Sequence, residues 1–352
     1  MVSVWSELRG HSGQRELFQR SIARGRLSHA YVLTGPEGIG KLQFARLLAK
    51  SLFCRERTPE QVDACGECRA CRSFDVASWP DYYEIRCPDG KTEIPIDLLI
   101  GSPEKRGREG MCFELAMSPQ ASLRRIAVIN DAQLLNDAGA NAILKTLEEP
   151  PAEALMILIC NNPDALLPTI RSRCQIIRFF PLPDQDVAEL LVHLNHVEDN
   201  EEAKTIASMS EGSLAVAGQL LNPDLRNLRN AIVEQLSKLE KMQPLVLADH
   251  VADELERFSS SVEDQRRNAR WLLRFASDFL RERLHHLAKG DLSDALTQRL
   301  GVRIGVDLLS PMLDRVIQAN NLIDANSPVR LVLETTFDDL ARQLRIGPIT
   351  AR

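Results

Sequence analysis

Residues 30–53 read "AYVLTGPEGIGKLQFARLLAKSLF". The first six form an apolar run that ends in Gly35, the pattern of a buried strand closing in a turn. The last thirteen carry Leu42, Phe44, Ala45, Leu48, Ala49 and Leu52 at helical spacing. Between them lies G-x-x-x-x-G-K, with Gly35, Gly40 and Lys41 in the defining positions and Gly38 inside the turn. Strand, Gly-rich turn and helix in that order describe a phosphate-binding loop. Its backbone N–H groups cradle phosphates at the positive end of the helix, and Lys41 can reach the outer ones. The residue after the lysine should be Ser or Thr, whose hydroxyl ligates Mg²⁺. Here it is Leu42, which has no oxygen. The motif therefore points to a nucleotide-binding fold and leaves open whether ATP or ADP is bound.

Working outward, "YYEIR" (82–86), "RIAVIND" (125–131), "LMILICNN" (155–162) and "CQIIRFFPLP" (174–183) are further candidate strands. The intervening "NDAGANAILKTLEEPP" (136–151) predicts a helix stopped by Pro150 and Pro151. Strands alternating with helices imply an α/β domain with a parallel sheet covered by helices. The segment 87–120 is rich in Gly, Pro and charge and predicts loops with short elements at most. After Pro183 the β pattern ends. Short helices are expected over 184–221. Stretches 227–242, 265–289 and 310–344 then carry apolar stripes at helical spacing.

Asp131 ends an apolar strand, where a metal-bridging carboxylate belongs in phosphate-loop folds. A turn or N-cap role would also explain an aspartate there. In hydrolysing proteins of this class a Glu follows to orient the attacking water, but here Ala132 follows. Leu42 and Ala132 thus remove two groups from the same chemistry.

The chain has eight cysteines in 352 residues, and four of them form C-x10-C-x2-C-x2-C: Cys54, Cys65, Cys68 and Cys71. Four thiolates at such spacing suit tetrahedral Zn²⁺ in a structural site with no open position. Cys87 is an alternative to Cys54 as the fourth ligand. The formal net charge of −6 argues against a protein that coats nucleic acid by itself. The N-terminal "MVSVWSELRGHSGQ" lacks a basic region followed by an apolar run, so no signal peptide is expected. No apolar stretch reaches the ~20 residues that span a bilayer. The expected compartment is the cytoplasm.

Taken together, "RLSHAYVLTGPEGIGK" (26–41), "NDAGANAILKTLEEPP" and "IRSRCQIIRFFPL" (170–182) resemble the clamp-loader branch of the AAA+ proteins. The resemblance covers most of residues 8 to 183, and the helical remainder matches in pattern. It implies an AAA+ domain over 1–183 with a zinc module at about 54–71, a helical lid over 184–222 and an all-α collar over 223–352 that joins a ring of subunits. Ser172-Arg173-Cys174 matches the family's arginine-finger motif, which makes Arg173 the candidate to complete a neighbour's ATP site in trans. A second sensing arginine usually stands in a "GS-x-R" context in the lid. Here the stretch is Gly212-Ser213-Leu214-Ala215, without the arginine.

The implied role is a non-hydrolysing stator that works with gamma/tau-type and delta-type subunits. Together they would open a sliding clamp and load it on primer–template DNA. An active gamma/tau-type ATPase with an unusual loop is the alternative reading.

Overall fold

The computed structural model describes residues 3–88, 91–237, 243–289, 305–325 and 327–346. The chain divides into two compact units, Met1–Ala217 and Gly218–Arg352.

Five strands form the sheet of the first unit: β1 (Ala30–Thr34), β2 (Tyr82–Ile85), β3 (Arg125–Ile129), β4 (Ala154–Cys160) and β5 (Gln175–Arg178). They are all parallel, in the order β2-β3-β4-β1-β5. Every strand expected from sequence is present. β1 and β3 are buried along their whole length. Strands covered on both faces need apolar residues at every position, and "AYVLT" and "RIAVI" supply them. Side chains alternate between the two faces. Tyr31, Leu33, Ile126, Val128, Leu155, Ile157 and Ile159 pack on one side with Phe18, Phe44 and Leu48. Ala30, Val32, Ala127, Ile129, Met156 and Leu158 pack on the other with Leu99, Leu115, Ile143 and Leu147. Each fully buried Leu or Ile contributes about 1.5–3 kcal/mol of burial free energy.

The first face is covered by α1 (Ser12–Ala23) and α2 (Lys41–Phe53), followed by α3 (Arg69–Asp75). The second is covered by α4 (Ile96–Ile100), α5 (Met111–Ala116), α6 (Asp137–Glu148) and α7 (Pro168–Arg171). Asn136 caps α6 by accepting the Gly139 N–H at 2.9 Å. Among its described residues, the segment 87–120 holds α4 and α5, five and six residues long, the short elements its composition predicts.

A buried polar network pins that segment. The Asp81 carboxylate accepts the backbone N–H groups of Gln120, Ala121 and Ser122 and the Ser122 hydroxyl, at 2.7–2.9 Å. Arg125, 2% exposed, lies 3.6 Å from Asp81 and donates to Ser118 O, the Tyr83 hydroxyl and Glu114. Burial disfavours the charged form of Asp81, but these donors outweigh it and hold the carboxyl below its ordinary range.

Three short helices follow the sheet: α8 (Asp184–His193), α9 (Asn200–Met209) and α10 (Leu214–Leu220). The second unit is helical in its described residues: α11 (Pro223–Ser237), α12 (Pro244–Phe258), α13 (Val262–Lys289), α14 (Gly305–Asp324) and α15 (Val329–Ile346). Residues 238–242 of the helix expected over 227–242 lie outside the described residues, as do 290–304 and 347–352. Pro328 precedes α15 and divides the stretch 310–344 into two helices. Buried Leu272, Phe275, Leu309, Met312, Val332 and Phe337 are among the apolar residues of this unit. No helix among the described residues is long and apolar enough to cross a membrane.

Candidate nucleotide cleft, metal centre and arginine

In a parallel sheet all carboxyl ends open on one edge, the place where such folds build ligand sites. The turn after β1 delivers Lys41, the turn after β3 delivers Asp131 and the turn after β4 delivers Asn161. These strands are neighbours in the order β3-β4-β1, so the three side chains converge. They line a cleft of about 920 Å³ together with Gly38, Gly40, Leu42, His193 and Ala215.

The Lys41 ammonium donates to Gly35 O at 2.6 Å, Pro36 O at 2.5 Å and Asn161 Oδ1 at 3.2 Å. Gly40 caps α2 in the left-handed region, and Lys41 opens the helix. Leu42 faces the cleft at the position where the motif has a hydroxyl. Asp131 adopts φ 54 and receives Asn130 Nδ2 at 2.7 Å and Gln133 Nε2 at 3.4 Å. Burial and the nearby Glu37 charge push its carboxyl up, against the Gln133 bond and Lys41. Ala132 is buried, 1% exposed. The expected loop residues thus meet in one place. Of the two residues that depart from the hydrolytic pattern, Leu42 lines the cleft, while Ala132 follows Asp131 in sequence and packs into the core.

The lid segment is tied to the tip of this loop. Ser213 Oγ donates to Glu37 O at 2.8 Å, and Leu214 N donates to Gly38 O at 2.9 Å. Gly38 has φ +75, and a Cβ there would come within 2.4 Å of both Ser213 Oγ and Ala215 Cβ. Only glycine permits that approach. Ala215 packs where the resemblance led one to look for an arginine.

Sequence reasoning missed His11. Its Nε2 lies 2.6 Å from Ile39 O in the loop, and its ring meets Phe179 edge-on at 4.8 Å. No motif marks it, because the contact joins the start of α1 to a turn 28 residues away. Of the pair after β4, Asn161 reaches Lys41 while Asn162 caps the next turn by accepting the Asp164 N–H.

Cys54, Cys65, Cys68 and Cys71 come together, their four Sγ atoms within 4.8 Å of one another. Cys54 ends α2, Cys68 caps α3 and Cys71 lies in the first turn of α3. The Cys65–Cys71 and Cys68–Cys71 Sγ separations are 4.0 and 3.5 Å. A tetrahedron with Zn–S bonds of about 2.3 Å has edges of about 3.8 Å, so this cluster could hold zinc. Backbone N–H groups of Cys65 and Cys68 point at Cys54 Sγ and Cys65 Sγ, as thiolates require. Burial raises the Cys68 thiol, but the backbone of Arg55 and Cys71 and the neighbouring thiols outweigh it and bring it to about 7. Cys87 stands outside the cluster, its thiol 3.2 Å from Lys91 O and 3.3 Å from Glu93 O. The adjoining loop is stapled to the N-terminus: Val62, at φ 44, offers its carbonyl to Trp5 Nε1 at 2.7 Å and Arg15 Nε at 3.1 Å.

Arg173 lies elsewhere. It stands two residues before β5, and Gln175 of β5 pairs with Tyr31 in β1. That places it at the amino edge of the sheet, opposite the cleft. β5 is four residues long, which at about 3.3 Å per residue separates the two edges by roughly 13 Å. Its Nη2 contacts Glu148 Oε1 at 2.8 Å, and its Nη1 donates to Thr169 O at 3.0 Å and Ser172 Oγ at 3.3 Å. Arg171 pairs with Asp164 instead.

Residues 10–183 match the family described as "DNA polymerase III, delta subunit". The DNA polymerase III subunit delta' of Pseudomonas aeruginosa is 33% identical over 231 residues, 65% of this chain and 67% of that protein. The same subunit of Yersinia pestis is 30% identical over 257 residues, 70% of this chain and 72% of that protein. The tau subunit of Bacillus subtilis is 28% identical over 219 residues, 62% of this chain and 35% of that protein. With two delta' relatives at 30% identity or above, each covered over two thirds of its length, this chain belongs to the delta' subunit family of DNA polymerase III.

Proposed function

We propose that this chain is a clamp-loader subunit of DNA polymerase III that does not hydrolyse nucleotide itself and completes a neighbour's ATP site with Arg173. One observation carries the first half. The positions that follow Lys41 and Asp131, which hydrolysis needs filled with oxygens, hold Leu42 and Ala132. A side chain without oxygen can neither ligate Mg²⁺ nor orient water. Gly35, Gly38, Gly40, Lys41 and Asp131 keep the shape of a nucleotide loop, and ATP or ADP would be held there without being turned over.

The second half is supported by strand order. Arg173 stands at the edge of the sheet away from its own cleft, so the site it can serve belongs to another subunit. A guanidinium suits that task because its planar fork presents donors bidentately to phosphoryl oxygens. In this reading Cys54, Cys65, Cys68 and Cys71 hold a structural zinc, residues 184–222 act as lid, and 223–352 form the collar. The partners are gamma/tau-type and delta-type subunits, with the sliding clamp and primer–template DNA reached through the complex.

The test is ATP turnover by the chain alone, and by a loader reconstituted with clamp and primed DNA carrying wild-type chain or Arg173→Ala. The chain alone is expected to be silent. Arg173→Ala is expected to slow the site it completes by ~10³-fold or more with assembly intact. Turnover by the isolated chain would make it a gamma/tau-type ATPase instead. An unchanged loader would reduce the chain to a scaffold.

A further inference from the structure

α6 closes with Glu148 and Glu149, two carboxylates at the helix end where the backbone dipole disfavours negative charge. Arg173 meets Glu148 there at 2.8 Å, with Nη1 held by Thr169 O and Ser172 Oγ. The side chains are 35% and 50% exposed. An ion pair this exposed is weakly held and readily exchanged. A phosphoryl group offers the same guanidinium more negative charge and more acceptor oxygens than one carboxylate. The two anions repel each other, so a guanidinium sharing its fork with Glu148 cannot give its full charge to a phosphoryl group. Contact with Glu148 and contact with a phosphate are alternatives for Arg173.

We propose that Glu148 is a positioning residue that parks Arg173 against the end of α6 until a neighbouring subunit's nucleotide phosphate displaces it. This rests on the trans-arginine reading above and adds a gate to it. The free chain keeps its arginine paired, and the arginine transfers only when a neighbour presents a more highly charged anion within reach. α7 and the turn that follows it, which carry Thr169 and Ser172, remain as the hinge. The parked fraction sets how much of the assembled loader is competent at any moment, so removing the carboxylate raises the competent fraction.

The experiment is steady-state ATP turnover of the reconstituted loader with clamp and primed DNA. Four forms of this chain are compared: wild type, Glu148→Gln, Arg173→Ala and the double variant. Glu148→Gln keeps shape and polarity and removes the charge. It should raise kcat two- to fivefold, the range of an exposed ion pair, without changing KM for ATP. The double variant should match Arg173→Ala alone, because a parking residue has nothing to act on once the arginine is gone.

If Arg173→Ala changes nothing, the trans-arginine reading itself falls. If Arg173→Ala slows the loader while Glu148→Gln leaves kcat unchanged or lowers it, the trans reading stands and the parking role is overturned. Glu148→Asp, which keeps the charge but withdraws it by one methylene, should move kcat in the same direction by a smaller factor. A gain with Glu148→Gln that persists in the Arg173→Ala background would also overturn the proposal, since the effect would not pass through the arginine.

Discussion

His11 precedes α1 in the left-handed region, and its Nε2 faces the Ile39 carbonyl at 2.6 Å. A carbonyl only accepts, so that nitrogen carries the proton of the neutral ring. Burial is the main cause that lowers its pKa. The Ile39 bond works against that, and the Lys41 charge adds to it. A base with a depressed folded pKa gives stability that is fully present above its unfolded value of about 6.5. That stability is lost as pH falls below it, because the unfolded chain then binds the extra proton. The expected outcome is a melting temperature that declines between pH 7 and 5 in circular dichroism melts. Part of that slope should be absent in His11→Gln, whose amide can still donate to Ile39. An equal slope in both proteins would mean that other groups account for it.

Asp81 and Arg125 raise a second question at this scale. With side chains 0% and 2% exposed, the pair is fully desolvated, and removing one partner strands the other. Asp81→Ala should cost about 3–5 kcal/mol, read as a lowered urea midpoint. It should also free residues 120–122, whose N–H groups lose their acceptor. A loss under about 1 kcal/mol would show that Glu114 alone suffices for Arg125, at the scale of an ordinary hydrogen bond.

At the scale of elements, the cysteine module is the part whose stability depends on something other than burial. α3 has seven residues, too short to persist in isolation. It is held by the Cys68 and Cys71 thiols, by the Lys50–Asp75 ion pair at 2.7 Å and by Phe74 against Phe53 and Tyr82. If zinc bridges the thiols, its binding energy is folding energy for this element. Metal analysis of the purified chain should then give about one zinc per chain for a four-thiolate site. Chelation should lower the melting temperature and expose 54–75 to proteolysis while leaving the sheet folded. A chain with no metal and an unchanged melt after chelation would turn the cluster into four packed thiols. α4 and α5 are short for a different reason. Gly101 and Gly110, at φ 83 and 92, end one helix and open the next, and the Asp81–Arg125 network holds what lies between them and β3.

At the scale of the whole molecule, the first unit carries its nucleotide cleft and Arg173 on opposite edges of one sheet. The Lys41 cleft opens at the carboxyl ends of β1, β3 and β4, and Arg173 stands at the amino end of β5. In the proposed role, one edge would serve a neighbour while the other keeps its own loop. The turnover experiment above tests that division. A net charge of −6 argues against a chain that coats nucleic acid by itself.

The sequence by itself determined the five strands, the phosphate-loop turn, α2, α6 and the helical character of the second half. These follow from apolar periodicity and from Gly and Pro punctuation, which act over a few residues. It also marked Leu42 and Ala132, because a missing oxygen is visible in the letters. Only the tertiary structure decided that Cys54 rather than Cys87 joins the cluster, that His11 and Asn161 reach the loop, that Ser213 and Leu214 tie down its tip, and that Arg173 pairs with Glu148 on the far edge. Each of these contacts depends on strand order and on how helices lie on the sheet. That arrangement is set by burying two apolar faces at once, and no short window of sequence encodes it.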